Sequence, residues 1–169
     1  RNLILVCGST VNLYYFILPL RARKLNTVKP IVILHPDKPA PSVWSKLGMF
    51  PDIFFVQGSA LEAEDLVRAG IHFSDSAAIL AKTDERRSAI LAGRSGSVEA
   101  VVDSDTIFMS QAIRRENRYM NIVAELVQPG NIPFLAPTRM SATGGGLNDR
   151  LNESSQYFMY VEERKERDG

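Results

Sequence analysis

The chain opens with a short apolar run that ends at a single glycine and is followed at once by a helical pattern. Residues 3–7 read Leu-Ile-Leu-Val-Cys, and Gly8 comes next. Apolar residues then recur with the period of a helix at Leu13, Phe16, Ile17 and Leu20. A buried strand, a tight turn and a helix in this order are how a dinucleotide-binding fold begins.

The phosphate-binding fingerprint of that fold is incomplete in this chain. The fingerprint Gly-x-Gly-x-x-Gly provides a tight turn, bare backbone beside the pyrophosphate, and close helix–strand packing. Gly8 keeps the first position, whereas Thr10 and Leu13 occupy the second and third. Because Thr10 places a Cβ where the pyrophosphate needs bare backbone, the sequence predicts the scaffold without the usual dinucleotide.

Strand-type and helix-type patterns alternate along the rest of the chain. Strands are predicted at residues 2–7, 30–34, 53–57, 76–81 and 119–126, with a short sixth at 132–135. Helices are predicted at 11–24, with a kink or break near Pro19, and at 42–48, 61–69 and 103–117. The alternation and the continuously apolar strands predict an α/β fold, a Rossmann-like, doubly wound and mainly parallel sheet of about six strands with helices on both faces.

The domain boundaries follow from changes in composition. Residues 1–135 are predicted to form the Rossmann-like lobe, interrupted at 83–102 by a mobile insertion rich in Arg, Ser, Gly and Glu. Residues 136–169 are predicted to be a poorly ordered linker and a charged tail. Since the chain starts at Arg1 and its first strand begins at once, it is interpreted as a piece of a longer polypeptide.

Charge and cysteine content narrow the classes of function. The formal net charge of the 169 residues is +1, which gives no electrostatic argument for binding nucleic acid. No apolar run approaches the roughly 20 residues that span a bilayer. Cys7 is the single cysteine, so no internal disulfide can form, and a buried, inert thiol in a reducing compartment is favoured.

The candidate binding residues lie where the first two strands are predicted to end. Gly8, Ser9, Thr10 and Asp37 would line the crevice there, and Asp37 is placed where an acid would contact a ribose. A structural turn beside a solvated aspartate is the favoured alternative. The two histidines, His35 and His72, have no partners at metal-ligand spacing, so no metal site is predicted.

Two aspartates stand directly before the helix at 103–117. The Asp103-Ser-Asp105 sequence could begin a cation-binding loop, but a calcium loop needs more oxygen ligands, a glycine and a distal glutamate. Capping of the helix N-terminus by Asp103 or Asp105 is therefore the favoured interpretation.

Two segments resemble a known family. Residues 11–23, Val-Asn-Leu-Tyr-Tyr-Phe-Ile-Leu-Pro-Leu-Arg-Ala-Arg, resemble the first helix of a regulator-of-K+-conductance (RCK) domain of Slo-family potassium channels. Residues 123–135, Val-Ala-Glu-Leu-Val-Gln-Pro-Gly-Asn-Ile-Pro-Phe-Leu, resemble its fifth strand and exit. The resemblance covers about residues 2–135 and is greatest to the second RCK domain of the sodium-activated branch.

The resemblance implies a function without catalysis. In that family eight RCK domains from four subunits form a gating ring at the cytoplasmic face of a membrane channel, and ligand binding in the ring pulls the pore open. The implied partners are other RCK domains of a homotetramer and the transmembrane pore domain, with a small ion as a possible ligand. No cofactor is implied. Residues 136–155 contain only Asp149 and Glu153 as acids, so the dense aspartate run of the calcium-activated branch is missing.

Two other functions remain open from the sequence. One is a nicotinamide- or nucleotide-binding Rossmann domain of an oxidoreductase or redox sensor. The other is a structural interaction domain that senses no ligand. The ligand itself, whether sodium, calcium, chloride or a nucleotide, is not indicated by any residue pattern.

Overall fold

The computed structural model describes residues 2–22, 25, 27–82, 103–135 and 158–160, the last three by their backbone. The insertion predicted at 83–102 and nearly all of the linker and tail predicted at 136–169 lie outside the described residues. The two predicted domain boundaries therefore stay predictions.

Six parallel strands form one sheet. They are β1 (Leu3–Gly8), β2 (Ile31–His35), β3 (Ile53–Gln57), β4 (Ser74–Leu80), β5 (Asn121–Leu126) and β6 (Phe158–Tyr160). The strand order is β3-β2-β1-β4-β5-β6, and every neighbouring pair is parallel. This is the strand order of a doubly wound Rossmann sheet. The predicted fold class is confirmed.

Short helices connect the strands. They are α1 (Leu13–Leu20), α2 (Pro41–Leu47), α3 (Ala63–Arg68), α4 (Ser104–Glu116) and α5 (Ile132–Leu135). The helix predicted at 11–24 is shorter in the structure and ends one residue after Pro19, where a break was expected. Proline lacks an N–H and its ring crowds the preceding turn, so a helix seldom continues far beyond it.

The prediction of a strand at residues 132–135 is wrong. These residues form α5. The sixth strand is β6, which pairs with Ala124–Leu126 of β5. β6 lies within residues 136–169, the range predicted to be a poorly ordered linker and tail. A proline explains the helix. Pro133 stands in the first turn, where an N–H has no helical partner anyway, whereas a strand would lose a ladder hydrogen bond there.

The sheet separates two cores because successive strand residues point to opposite faces. On one face Val6, Ile31 and Ile33 pack with Leu13 and Ile17 of α1 and Leu47 of α2. On the other face, strand residues such as Leu5 and Val32 pack with Leu66 of α3 and Ile113 of α4. The α1–α2 layer and the α3–α4 layer therefore lie on opposite faces of the sheet.

Cys7 belongs to the second of these cores. It is 2% exposed, and burial raises the pKa of its thiol to about 12. The thiol is therefore protonated at neutral pH and is a packing group, not a nucleophile.

The strand order also fixes where a crevice can form. It reverses between β1 and β4, with β2 and β3 on one side of that point and β5 and β6 on the other. In open α/β sheets ligands bind at the carboxyl ends of the strands at such a switch point. The crevice rule therefore points to the β1–β4 edge, whereas the sequence placed the crevice between the first two strands.

Candidate functional site

Gly8 ends β1 in a conformation that other residues rarely adopt. Its φ is +90°, and a Cβ added there would lie 2.1 Å from the carbonyl oxygen of Leu80 in the neighbouring strand β4. The next residue continues the contact, because the Ser9 N–H donates to the same Leu80 oxygen at 2.9 Å. Gly8 is thus required by the packing of β1 against β4, with or without a nucleotide.

The turn after Gly8 leads into α1 through two short-range hydrogen bonds. The Val11 N–H donates to Ser9 Oγ at 3.4 Å, and the Leu13 N–H donates to the Thr10 carbonyl at 3.4 Å. Asn12 occupies the N-cap position, but its side chain makes no capping hydrogen bond. Ser9 and Thr10 are half-buried at the carboxyl edge of the sheet.

Asp37 lies beyond the end of β2 and is exposed. Its N–H donates to Nδ1 of His35 at 3.0 Å, so the two residues form a local turn. Parallel pairing of Val6 with Ile33 brings the ends of β1 and β2 to the same edge of the sheet. The fold therefore gathers Gly8, Ser9, Thr10 and Asp37 at one edge; their role in binding stays a prediction.

Asp103 is the most completely satisfied polar residue of this edge. It is fully buried, and its carboxylate accepts the N–H groups of Val127 and Gln128, both at 2.9 Å. Nδ2 of Asn131 donates to it as well, at 2.8 Å. Asp103 stands at the N-cap position of α4, yet its side chain does not cap that helix. The predicted N-cap position of Asp103 is confirmed, but the expected side-chain capping bond is absent because the exit of β5 takes the carboxylate instead.

A second carboxylate joins β4 to β5. Oε2 of Glu125 accepts the Ala81 N–H at 3.0 Å, just past the end of β4. Beside it, Lys82 Nζ lies 3.2 Å from Oδ2 of Asp105 at the start of α4. This ion pair is exposed and contributes about 0–1 kcal/mol, whereas the Glu125 hydrogen bond is partly shielded from water.

The loop between β3 and α3 closes around a third carboxylate. Asp65 Oδ2 accepts the Ser59 N–H at 2.8 Å, and Oδ1 pairs with Arg68 at 2.9 Å. Gly58 leaves the room for this arrangement, because a Cβ there would lie 2.5 Å from the Asp65 carboxylate. Arg68 also donates to the Gln57 carbonyl at the end of β3. This carboxylate holds its own loop, and no ligand role follows from it.

Arg21 fastens the end of α1 to the loop before β3. Its guanidinium donates to the carbonyl oxygens of Leu20 at 3.1 Å, Pro51 at 3.2 Å and Asp52 at 3.4 Å. Burial lowers the pKa of Arg21, and the charge of Asp52 acts in the opposite direction. Asp52 itself adopts a φ of +56°, and its carbonyl also accepts the Ile31 N–H of β2.

Replacing Arg21 with alanine should lower the free energy of unfolding by about 1–2 kcal/mol, since three carbonyls lose a charged donor. Arg21→Lys should recover only part of this loss, because one ammonium cannot reach three carbonyls that a planar fork spans. Urea unfolding monitored by fluorescence of the single tryptophan, Trp44, measures both changes.

The control is Arg118→Ala, which removes the same type of side chain from an exposed position. It should change stability by less than about 0.5 kcal/mol. Equal losses for Arg21→Ala and Arg118→Ala would contradict a fastening role for Arg21.

The chemistry of this edge is structural. The carboxylates of Asp103, Glu125 and Asp65 all accept backbone N–H groups. Within the described residues, no group of three or more His, Cys, Asp or Glu side chains is placed to hold a metal ion. In the same part of the chain, no helix is long and apolar enough to cross a membrane.

Sequence reasoning missed the roles of Arg21, Asp65 and Glu125. Each acts on a backbone group that is 6 to 44 positions away in the chain. For Arg21 and Glu125 the signal that was present is their membership of the quoted blocks, because Arg21 lies in residues 11–23 and Glu125 in residues 123–135.

Comparison with known proteins identifies relatives among potassium channels. The family model of the calcium-activated potassium channel slowpoke-like RCK domain matches residues 1–124. Potassium channel subfamily T member 1 of Homo sapiens is 29% identical over 169 aligned residues, which cover 95% of this chain and 13% of that protein. Potassium channel subfamily U member 1 of Mus musculus is 26% identical, over 94% of this chain and 16% of its own length.

Solved structures share the fold at lower identity. The human SLO3 gating ring superposes with a TM-score of 0.61 at 18% identity, over 95% of this chain and 24% of that one. The GsuK channel bound to NAD superposes with a TM-score of 0.51 at 16% identity, over 80% of this chain and 20% of that one. The chain thus spans well under a quarter of the length of the curated relatives it matches.

Proposed function

This chain belongs to the family of calcium-activated potassium channel slowpoke-like RCK domains, and we propose on that premise that it is a cytosolic regulatory domain of a ligand-gated potassium channel. The observation that carries the proposal is the family match over residues 1–124. The domain would act by binding and movement, not by catalysis.

The proposed mechanism is a coupling of two equilibria. A ligand opens a channel through such a domain only if it binds one conformation of the assembly more tightly than the other, by a few kcal/mol summed over its sites. We propose that the assembly is a ring of eight RCK domains in a homotetramer, attached to the transmembrane pore of the same polypeptide. The structure of the human SLO3 gating ring, which has the same fold, supports this arrangement.

We place the candidate ligand contacts at Gly8, Ser9, Thr10 and Asp37, where β1 and β2 end. Gly8 and Ser9 are held against β4 by backbone packing, so a ligand that contacts them would act directly on the β1–β4 pair. Among these four residues, Asp37 alone carries a carboxylate, and it is exposed.

Electrical recording from the channel that contains this domain tests the proposal. Asp37→Ala in the full channel, measured in inside-out patches, should shift the ligand concentration for half-activation and leave the single-channel conductance unchanged. Conductance belongs to the pore, whereas the shift reports the regulatory domain. Sedimentation of the complete cytosolic region should give a tetramer, and a monomer at high protein concentration would refute the ring.

Nucleotide binding is the second candidate, because one structure of similar fold is the GsuK channel bound to NAD. Calorimetry with NAD, NADH, ATP and AMP separates the two candidates. We expect no tight binding of NAD, since Thr10 places a Cβ in the second glycine position of the fingerprint. Tight binding that Asp37→Ala abolishes would favour the nucleotide sensor.

A further inference from the structure

Helix α1 has no polar face. Its eight residues, Leu-Tyr-Tyr-Phe-Ile-Leu-Pro-Leu, include no charged or amide side chain. Leu13 and Ile17 fill the core beneath the helix. A helix that is apolar all round is normally buried on every side. One side of α1 is therefore left uncovered by the described part of this chain.

The uncovered side presents apolar residues at helical spacing. Val11 is 57% exposed, Tyr15 70% and Leu18 44%. Tyr15 and Leu18 are spaced i, i+3 and share one side of the helix, and Val11 lies in the turn directly before it; these three residues are the α1 stripe. Contiguous apolar patches of this kind mark interaction surfaces.

The surroundings of this stripe are basic. Lys46 of α2 is exposed, with its Nζ 5.9 Å from the centroid of the Tyr14 ring, which contacts the Tyr15 ring edge-on. Neither α1 nor α2 contains an acid. A partner for the stripe should therefore combine apolar side chains with carboxylates.

The α3 side of the same domain exposes both apolar side chains and carboxylates. On α3 and the turn before it, Leu61 and Val67 are each 49% exposed. Glu62 and Glu64 lie beside them and are exposed as well. Among the described residues neither glutamate forms an ion pair, whereas Asp65 of the same helix is paired with Arg68.

We infer that the α1 stripe of one copy of this chain docks on the α3 surface of a second copy, with Lys46 facing Glu64. Because two different surfaces meet, the contact is heterologous, and its repetition gives a ring if the rotation between copies closes. The inference rests on surface chemistry alone and does not depend on the proposed function. The contact is small, so weak association is expected.

Sedimentation velocity of the 169-residue chain over a range of concentrations tests the contact. The wild-type chain should associate reversibly, and more weakly as salt is raised, since charges contribute. Lys46→Glu and Glu64→Lys should each weaken association roughly tenfold. Neither substitution touches the core, and circular dichroism verifies the fold of each variant.

A mixture of the two single variants gives the decisive measurement. Each variant alone presents like charges across the contact, but the mixture restores one opposite pair at every junction. Association of the mixture should therefore return to the wild-type level. Arg118→Glu makes the same charge change as Lys46→Glu outside both surfaces and should have no effect.

Other results would overturn the inference. A chain that stays monomeric at every concentration has no such contact. Association that is weakened by Tyr15→Asp but not by Glu64→Lys would mean that α1 meets α1 of the second copy. If association of the mixed variants did not return to the wild-type level, Lys46 would not face Glu64 in the contact.

Discussion

Replacing Asp103 with alanine is expected to lower the free energy of unfolding by about 3–5 kcal/mol, a large part of the stability of a domain of this size. The carboxylate is fully buried and accepts three hydrogen bonds, from the N–H groups of Val127 and Gln128 and from Asn131 Nδ2. Alanine removes the acceptor of all three and leaves a polar cavity between the start of α4 and the exit of β5.

Asp103→Asn tests how much of this loss comes from the charge of the carboxylate and how much from its volume. Asp103→Asn keeps the volume and one acceptor oxygen but turns an N–H toward a backbone N–H. Its loss should therefore fall between that of alanine and the wild type. Urea unfolding followed by far-ultraviolet circular dichroism measures all three proteins.

Asp105→Ala is the matched control for Asp103→Ala. It removes the same side chain two residues later, where the carboxylate is 57% exposed and pairs with Lys82. That change should cost less than about 1 kcal/mol. If both alanine variants lost the same stability, the hydrogen bonds of Asp103 would not be the reason.

Replacing Gly8 with alanine is the second change with a large expected effect, about 4 kcal/mol or more, up to complete loss of folding. The new Cβ would lie 2.1 Å from the Leu80 carbonyl oxygen, in a backbone conformation with φ of +90°. Both penalties act on the β1–β4 pair at the centre of the sheet. Movement of the backbone is the sole relief, because the clashing atom is not in a side chain.

Two other glycines complete a graded series with Gly8. Gly70 also has a positive φ, +84°, but a Cβ there would meet only side-chain atoms, of Leu3 at 3.3 Å and Phe73 at 3.9 Å, so Gly70→Ala should cost about 1–2 kcal/mol. Gly48 has an ordinary helical conformation with its nearest contact at 3.5 Å. Gly48→Ala should be nearly neutral. A different rank order of the three thermal midpoints would contradict the packing argument.

The first five strands could be predicted from the sequence because each depends on a local signal. β2 and β3 are continuous apolar runs closed by turn residues, and both were placed to within a residue. Consecutive strands joined by short connections are usually neighbours in the sheet, so the parallel architecture was also accessible.

The sixth strand could not be predicted for a physical reason. β6 has only three residues, Phe158–Tyr160, and it pairs with a strand more than thirty positions earlier in the chain. A run that short carries no periodicity of its own. The segment 132–135 has the apolar composition of a strand, but Pro133 and the preceding turn at Pro129–Asn131 lead into a helix.

Part of the candidate site could be predicted from local sequence signals and part could not. The turn at Gly8 was predictable, since the fingerprint is a local pattern. The role of Asp103 was not, because its position directly before a helix indicates a cap. The competing partners, Val127 and Gln128, follow it by more than twenty residues, and their proximity exists only in the folded sheet.

The contacts of the residues that flank positions 83–102 determine how the domain should tolerate insertions there. On one side Glu125 holds Ala81, on the other Asp103 holds the β5 exit, and Lys82 pairs with Asp105 across the gap. These contacts join the residues on either side of positions 83–102 to β5 and α4. Doubling the length of a flexible connection costs only about 0.6 kcal/mol in closure entropy. Insertions between residues 83 and 102 are therefore expected to leave the pairing of β4 with β5 intact.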